Sequence, residues 1–134
     1  MNLKRLLKLS LLDNAALCVV CGLPAAIAPG WLATATGLDY PSALRTVGIV
    51  LLLNAVAVTI NAMKQTPSPA LVWSTIAGDV LWVTFTVWVL AANSSSMTAF
   101  GVGLVSVTTA LVFGLATAQA LSIVCAPREG GAKA

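Results

Sequence analysis

Four long apolar runs, separated by short polar or proline-containing stretches, dominate the pattern of this chain. Each run has about 20 residues or more, the length that a helix needs to cross a bilayer core of roughly 30 Å. The pattern therefore predicts an all-α fold, an integral membrane four-helix up-down bundle forming a single transmembrane domain. The predicted helices span about residues 6–28, 41–63, 70–92 and 97–125, and a short polar tail covers 126–134.

The predicted helices are bounded by residues typical of helix ends and membrane interfaces. Pro41 suits the first turn of a helix, and Ser96 is placed to cap the fourth. The connection of residues 30–41, GWLATATGLDYP, carries Trp31 and Tyr40, whose amphipathic rings suit a membrane interface. We expect this connection to lie along the surface as a short turn or half-helix.

Composition supports the membrane assignment. The chain is 59% hydrophobic and only 8% charged, whereas a soluble domain is about 25% charged. A water-facing surface needs more charge than this, so the lipid bilayer is the predicted surroundings of the chain. The net charge of +3 forms no basic stripe, and we predict no nucleic-acid partner.

Basic residues concentrate on one side of the predicted bundle, and only Arg45 lies on the other. The positive-inside rule places the side with more lysine and arginine in the cytoplasm. We therefore predict that both the N-terminus and the C-terminus are cytoplasmic. The basic residues on the predicted cytoplasmic side are Lys4, Arg5, Lys8, Lys64, Arg128 and Lys133.

Asp79 is the sharpest candidate for a functional group, because an ionisable residue inside a membrane helix is costly and is a functional-site hypothesis by default. We expect it to be protonated, hydrogen-bonded by Asn or Thr neighbours, or paired with a cation. Other polar side chains fall at similar depth, and lipid cannot satisfy them, so we expect them to face inward and bond to one another. This predicted polar layer comprises Asp79, Asp13, Asn14, Asn61 and Gln119.

The polar layer has two interpretations. One is a proton-coupled or cation-dependent ligand pocket, in which Trp82, one turn after Asp79, lines the site. The other is interhelical hydrogen bonding that fixes the bundle, worth about 0.6 kcal/mol per contact, with Trp82 serving only in packing. A snorkelling Asp13 could instead reach Lys8 or Arg5 near the surface.

Cysteine and histidine content limits the chemistry. The chain has three cysteines and no histidine, which excludes His-ligated haem, ordinary zinc sites, Ser-His-Asp catalysis and four-thiolate iron–sulfur clusters. We predict no metal and no resident cofactor, with a quinone or a lipid as the possible bound molecule. No catalytic constellation is predicted.

Cys18 and Cys21 form a C-x-x-C inside the first helix. This pair resembles the one that four-helix membrane thiol oxidoreductases of the DsbB and vitamin K epoxide reductase type carry beside a quinone. That resemblance implies a redox role for Cys18 and Cys21, but the family also needs an outer cysteine pair, and Cys125 is predicted at the cytoplasmic end. The alternative is that both cysteines are small buried apolar residues.

The chain as a whole resembles the small bacterial four-helix inner-membrane proteins grouped as DoxX-like. The similarity rests on PGWL…GLDYP, a glycine early in the second helix at Gly48, and an Asp-x-x-Trp from Asp79 to Trp82. It implies a multi-pass protein of the bacterial inner membrane, and some members of that group work beside redox complexes.

The sequence supports three functional hypotheses. The first is a non-enzymatic accessory or structural subunit that packs in the bilayer against a larger membrane complex or against itself. The second is a small transporter or lipophilic-ligand-binding protein with a polar pocket around Asp79. The third is a quinone-linked thiol oxidoreductase that uses Cys18 and Cys21.

Overall fold

The computed structural model describes residues 2–125, and their regular structure is entirely helical. Four of the helices are long and apolar enough to cross a membrane, which confirms the all-α four-helix class. The predicted tail, 126–134, lies outside the described residues. The helices are α1 (Leu3–Ile27), α2 (Pro29–Thr36), α3 (Pro41–Met63), α4 (Pro69–Asn93) and α5 (Ala99–Val124).

The helix starts follow simple backbone chemistry. A proline occupies the first turn of α2, α3 and α4, where its missing N–H costs nothing. The start of α5 differs from the prediction, since the capping side chain is Thr98 and not Ser96. The Thr98 hydroxyl accepts a hydrogen bond from the backbone N–H of Gly101 at 3.0 Å, so α5 begins two residues later than expected.

The connection between the first two spans contains a true helix, α2, which ends at Gly37 in the left-handed conformation with φ 75°. The turn packs closely on the chain before α5, because a Cβ at Gly37 would lie 2.6 Å from the Ser96 carbonyl oxygen. The Thr98 N–H donates to the Thr36 carbonyl at 3.0 Å. Helix α2 therefore fixes the position at which α5 begins.

Helix α1 is central to the bundle and packs most extensively against α3. Their backbones approach closely where Gly22 faces Gly48, since a Cβ on Gly48 would lie 2.5 Å from the Ala26 nitrogen. Glycine is the residue that permits such an approach. Helix α5 packs against both α1 and α4, and an apolar core joins α1, α3 and α4 through Leu11, Ala15, Val58, Ala62, Val72 and Ile76.

Helices α3 and α4 are consecutive in the chain but contact each other least among the helix pairs that touch. The short loop between them is fixed by Asn61, whose Oδ1 accepts the Ser68 N–H at 2.9 Å. We call the end of the bundle that holds this loop and the start of α1 the terminal end, and the opposite end the α2 end. A gap between α3 and α4 opens beyond the loop, toward the α2 end.

Candidate functional site

A cavity of about 440 Å³ occupies the gap between α3 and α4. Helix α1 forms its back wall, and α5 contributes Thr108 and Val112. Its lining residues Val50 of α3 and Leu81 of α4 are 57% and 70% exposed. These two side chains therefore flank an opening through which the cavity faces the exterior of the bundle, where the lipid lies.

The cavity has a polar end and an apolar end. The polar lining residues closest to the terminal end are Asn14 of α1, Asn54 of α3 and Asp79 of α4. Toward the α2 end the lining becomes largely apolar and includes Leu51 and Phe85. The cavity thus matches the polarity of an amphipathic molecule.

Four side chains form a continuous hydrogen-bonded chain at the polar end. The Asn14 Nδ2 donates to both carboxylate oxygens of Asp79, at 2.9 Å to Oδ1 and 2.8 Å to Oδ2. The Cys18 Sγ donates to Asn14 Oδ1 at 3.6 Å, and the Asn54 Nδ2 donates to Cys18 Sγ at 3.5 Å. Side chains from α1, α3 and α4 are joined by this network, which bridges the gap that the helix backbones leave.

The network lies inside the bundle. Asp79 is 6% exposed and Asn14 is 2% exposed. Asn14 is uncharged, so its amide donates hydrogen bonds to the carboxylate but does not neutralise a negative charge there. Each carboxylate oxygen can accept more than one hydrogen bond, and Asp79 therefore retains acceptor capacity toward the cavity that it lines.

The structure brings together only part of the predicted polar layer. Asp13 is exposed on the outside of α1 and lies apart from the network, so the layer is narrower than predicted. Asn61 is buried and holds the loop after α3. Gln119 is fully buried, and within residues 2–125 neither its Oε1 nor its Nε2 has a hydrogen-bond partner.

Trp82 and both N-terminal cysteines also line the cavity. The Trp82 ring is half-buried, with its centroid 6.4 Å from that of Phe85. Cys18 is buried, Cys21 is half-buried, and both are free thiols. Asp79 also borders a second cavity of about 410 Å³ between α4 and α5.

Asn54 is the site residue that the sequence pattern did not single out. Its position in the sequence places it deeper in the membrane than the other carboxamides. The predicted layer omits it for that reason alone. The available signal was its position as a carboxamide in the middle of an otherwise apolar helix. Such a group is costly in lipid and needs an internal partner, which here is Cys18.

Scans against protein-family models, curated proteins and solved structures find no match for this chain. The DoxX-like resemblance therefore stays a prediction. The geometry of the cavity and the chemistry of its polar end are the features that bear on function.

Proposed function

We propose that this is a membrane-embedded binding protein for a lipid-soluble amphipathic molecule, and that the cavity between α3 and α4 is its binding site. The observation that carries the proposal is an apolar cavity with a buried carboxylate at one end and an opening on its side. Its volume of about 440 Å³ lies in the range of roughly 300–1,000 Å³ that is typical of small-molecule sites.

The polar end selects the head group of the ligand. Asp79 offers carboxylate oxygens that still have acceptor capacity, so the complementary group is a cationic amine or another strong hydrogen-bond donor. A carboxylic acid head group would meet the carboxylate of Asp79 and is disfavoured. An amphipathic amine is therefore the ligand class that the site fits best.

The apolar end and the lateral opening select the rest of the ligand. Trp82 and Phe85 supply aromatic surface next to the polar end, on which an alkyl chain or a ring can pack. The opening between Val50 and Leu81 faces the bilayer, so a ligand dissolved in lipid enters sideways without crossing water. The predicted orientation would place the polar end in the cytoplasmic half of the membrane.

The test is to measure binding of tetradecylamine and of tetradecanol to the purified chain in detergent by native mass spectrometry. Asp79→Asn should weaken amine binding by about 10-fold or more, because a hydrogen bond to a charged group is worth roughly 1.5–3 kcal/mol. Asp13→Asn is the matched control, since Asp13 is an aspartate on the outside of the bundle. Equal binding of amine and alcohol, or equal loss in both variants, would contradict the proposal.

Two other hypotheses from the sequence stay predictions. An accessory role beside a larger membrane complex, or in a homo-oligomer, is compatible with a ligand site, and a stoichiometric protein co-purifying in mild detergent would support it. A quinone-linked thiol oxidoreductase would use Cys18 and Cys21 against a quinone in the same cavity. Alkylation of both cysteines without loss of a quinone-reducing activity would rule that reaction out.

A further inference from the structure

Cys18 and Cys21 project into the same cavity from the back wall formed by α1. They are three residues apart in a continuous α-helix, so they lie one above the other on one face. Both are free thiols. The proposed contacts to the amine head group come from Asp79 and from neither sulfur, so a role for the pair can be tested separately from amine binding.

The spacing of the pair favours a bridging atom over a direct disulfide. Side chains three residues apart on a helix have Cβ atoms about 5–6 Å apart, whereas a disulfide brings its Cβ atoms to about 3.5–4.5 Å. With metal–sulfur bonds near the ~2.3 Å of zinc thiolates, a linear sulfur–metal–sulfur unit holds its sulfurs about 4.6 Å apart. Rotation of the two side chains reaches that separation without a change in the helix backbone.

We propose that Cys18 and Cys21 form a two-coordinate binding site for a thiophilic divalent metal ion, of the chemical class represented by Hg²⁺. Binding replaces two S–H bonds by two metal–sulfur bonds and releases two protons to solvent. The product carries no net charge, because two thiolates balance one divalent ion, and a neutral complex avoids the cost of a buried charge.

The number of donors excludes ions that need a fuller set of protein ligands. Within residues 2–125 there is no cluster of three or more histidine, cysteine or acidic side chains placed to hold a metal, whereas structural zinc takes four ligands. An ion satisfied by two soft sulfur ligands is the one that this pair can hold. The Asn54 Nδ2 donates to Cys18 Sγ at 3.5 Å. It would donate the same hydrogen bond to the Cys18 sulfur when that sulfur is bound to the metal.

The experiment uses the full chain in detergent with Cys125→Ser as the parent, since Cys125 is an exposed thiol outside the cavity. An excess of Hg²⁺ is added, followed by a larger excess of 2-mercaptoethanol, and retained mercury is measured by mass spectrometry. We expect one ion per chain with a thiolate-to-metal charge-transfer band. Adding Cys18→Ser or Cys21→Ser should each lower retention by on the order of 100-fold, since the second sulfur then no longer binds intramolecularly.

Two results would overturn the metal site. One is that either single variant retains mercury as well as the parent, and the other is that the parent takes up two ions, one per thiol. Alkylation of the unsubstituted chain gives a test that does not depend on the folding of a variant. One equivalent of Hg²⁺ should protect Cys18 and Cys21 together, and protection of only one would contradict the bridge. Because Asp13 lies on the outside of the bundle and does not line the cavity, Asp13→Asn should not alter retention.

Discussion

Helix α3 differs in how closely it packs against the two long helices beside it, α1 and α4. Along α1 it forms a closed interface in which Gly22 and Gly48 bring the backbones together. Toward α4 it leaves a gap that holds the cavity. Both sides of α3 are largely apolar, so hydrophobicity does not decide which one closes. In lipid there is no hydrophobic drive to close a gap, and close packing of small residues decides instead.

Buried polar side chains beside the cavity also differ in their hydrogen bonding from those elsewhere in the bundle. At the open side, Asn14 and Asp79 are hydrogen-bonded to each other and border the cavity. On α5, away from the cavity lining, Gln119 is fully buried with both of its amide atoms unpaired within the described part of the chain. The hydrogen-bonded pair beside the cavity therefore stabilises the bundle, while the unpaired Gln119 amide on α5 costs stability.

The largest effect should come from filling the closed interface. Gly48→Leu places side-chain atoms where the Ala25 and Ala26 backbone already lies, with a Cβ 2.5 Å from the Ala26 nitrogen. Overpacking of this kind costs about 3 kcal/mol of unfolding free energy, at the upper end of the usual range. Reversible unfolding in mixed micelles measures it. Gly103→Leu is the control, since nothing lies within 4 Å of a Cβ there, and a similar loss in both would contradict the close approach.

Breaking the polar pair should have the next largest effect. Asn14→Leu leaves the buried Asp79 carboxylate without its amide donor, at a cost of about 2 kcal/mol in unfolding free energy. The double variant Asn14→Leu with Asp79→Leu should recover most of that loss, because it removes the unsatisfied group as well. If the double variant is no more stable than Asn14→Leu alone, the cost comes from packing and not from the hydrogen bonds.

A smaller change of opposite sign is expected at Gln119. Replacing it by leucine removes two unpaired amide atoms from the interior of the bundle, and the free energy of unfolding should rise by about 1 kcal/mol. The same unfolding measurement checks this. A loss of stability would show that the Gln119 amide is hydrogen-bonded in the membrane, and that buried polar groups away from the cavity are satisfied as well as Asn14 and Asp79 are.

The smallest change in stability should follow from filling the open region. Gly78 lines the cavity, and nothing lies within 4 Å of a Cβ placed on it. Gly78→Leu should change the free energy of unfolding by no more than about 0.5 kcal/mol. It should nevertheless reduce tetradecylamine binding in native mass spectrometry, because the leucine takes up cavity volume. Unchanged amine binding would place the ligand elsewhere.

The helix limits were largely predictable from the sequence, and the rotation of each helix was not. Pro41 and Lys64 bracket α3 at residues 41–63, and the helix has those limits in the structure. Adjacent residues Asp13 and Asn14 share nearly the same depth, yet Asp13 faces outward and Asn14 is buried. They differ by about 100° around the helix, and a helix that is apolar on nearly all sides carries no polar face to fix that angle.

The cavity was not predictable for a related reason. Its existence depends on α3 turning Gly48 toward α1 while the gap toward α4 stays open, and both features depend on packing between distant segments. Depth did predict that Asn14 and Asp79 would meet, because their distances from the terminal end are similar. Depth could not predict that Cys18 and Asn54 would extend the same network. Which side chains meet depends on the rotation of each helix about its own axis, and depth does not specify that rotation.

The hydrogen bonds at the polar end run in one direction, from the Asn54 amide through Cys18 and Asn14 to Asp79. Asn14 presents its nitrogen to the carboxylate and its oxygen to the thiol. If a proton bound to the side of Asp79 that faces Asn14, that O–H and the Asn14 Nδ2 would both be donors, and a 180° turn of the Asn14 amide would bring its oxygen to the proton. Its nitrogen would then face Cys18. The orientation of the Asn14 amide therefore reports whether Asp79 is protonated, and isotope-edited infrared spectroscopy can measure it.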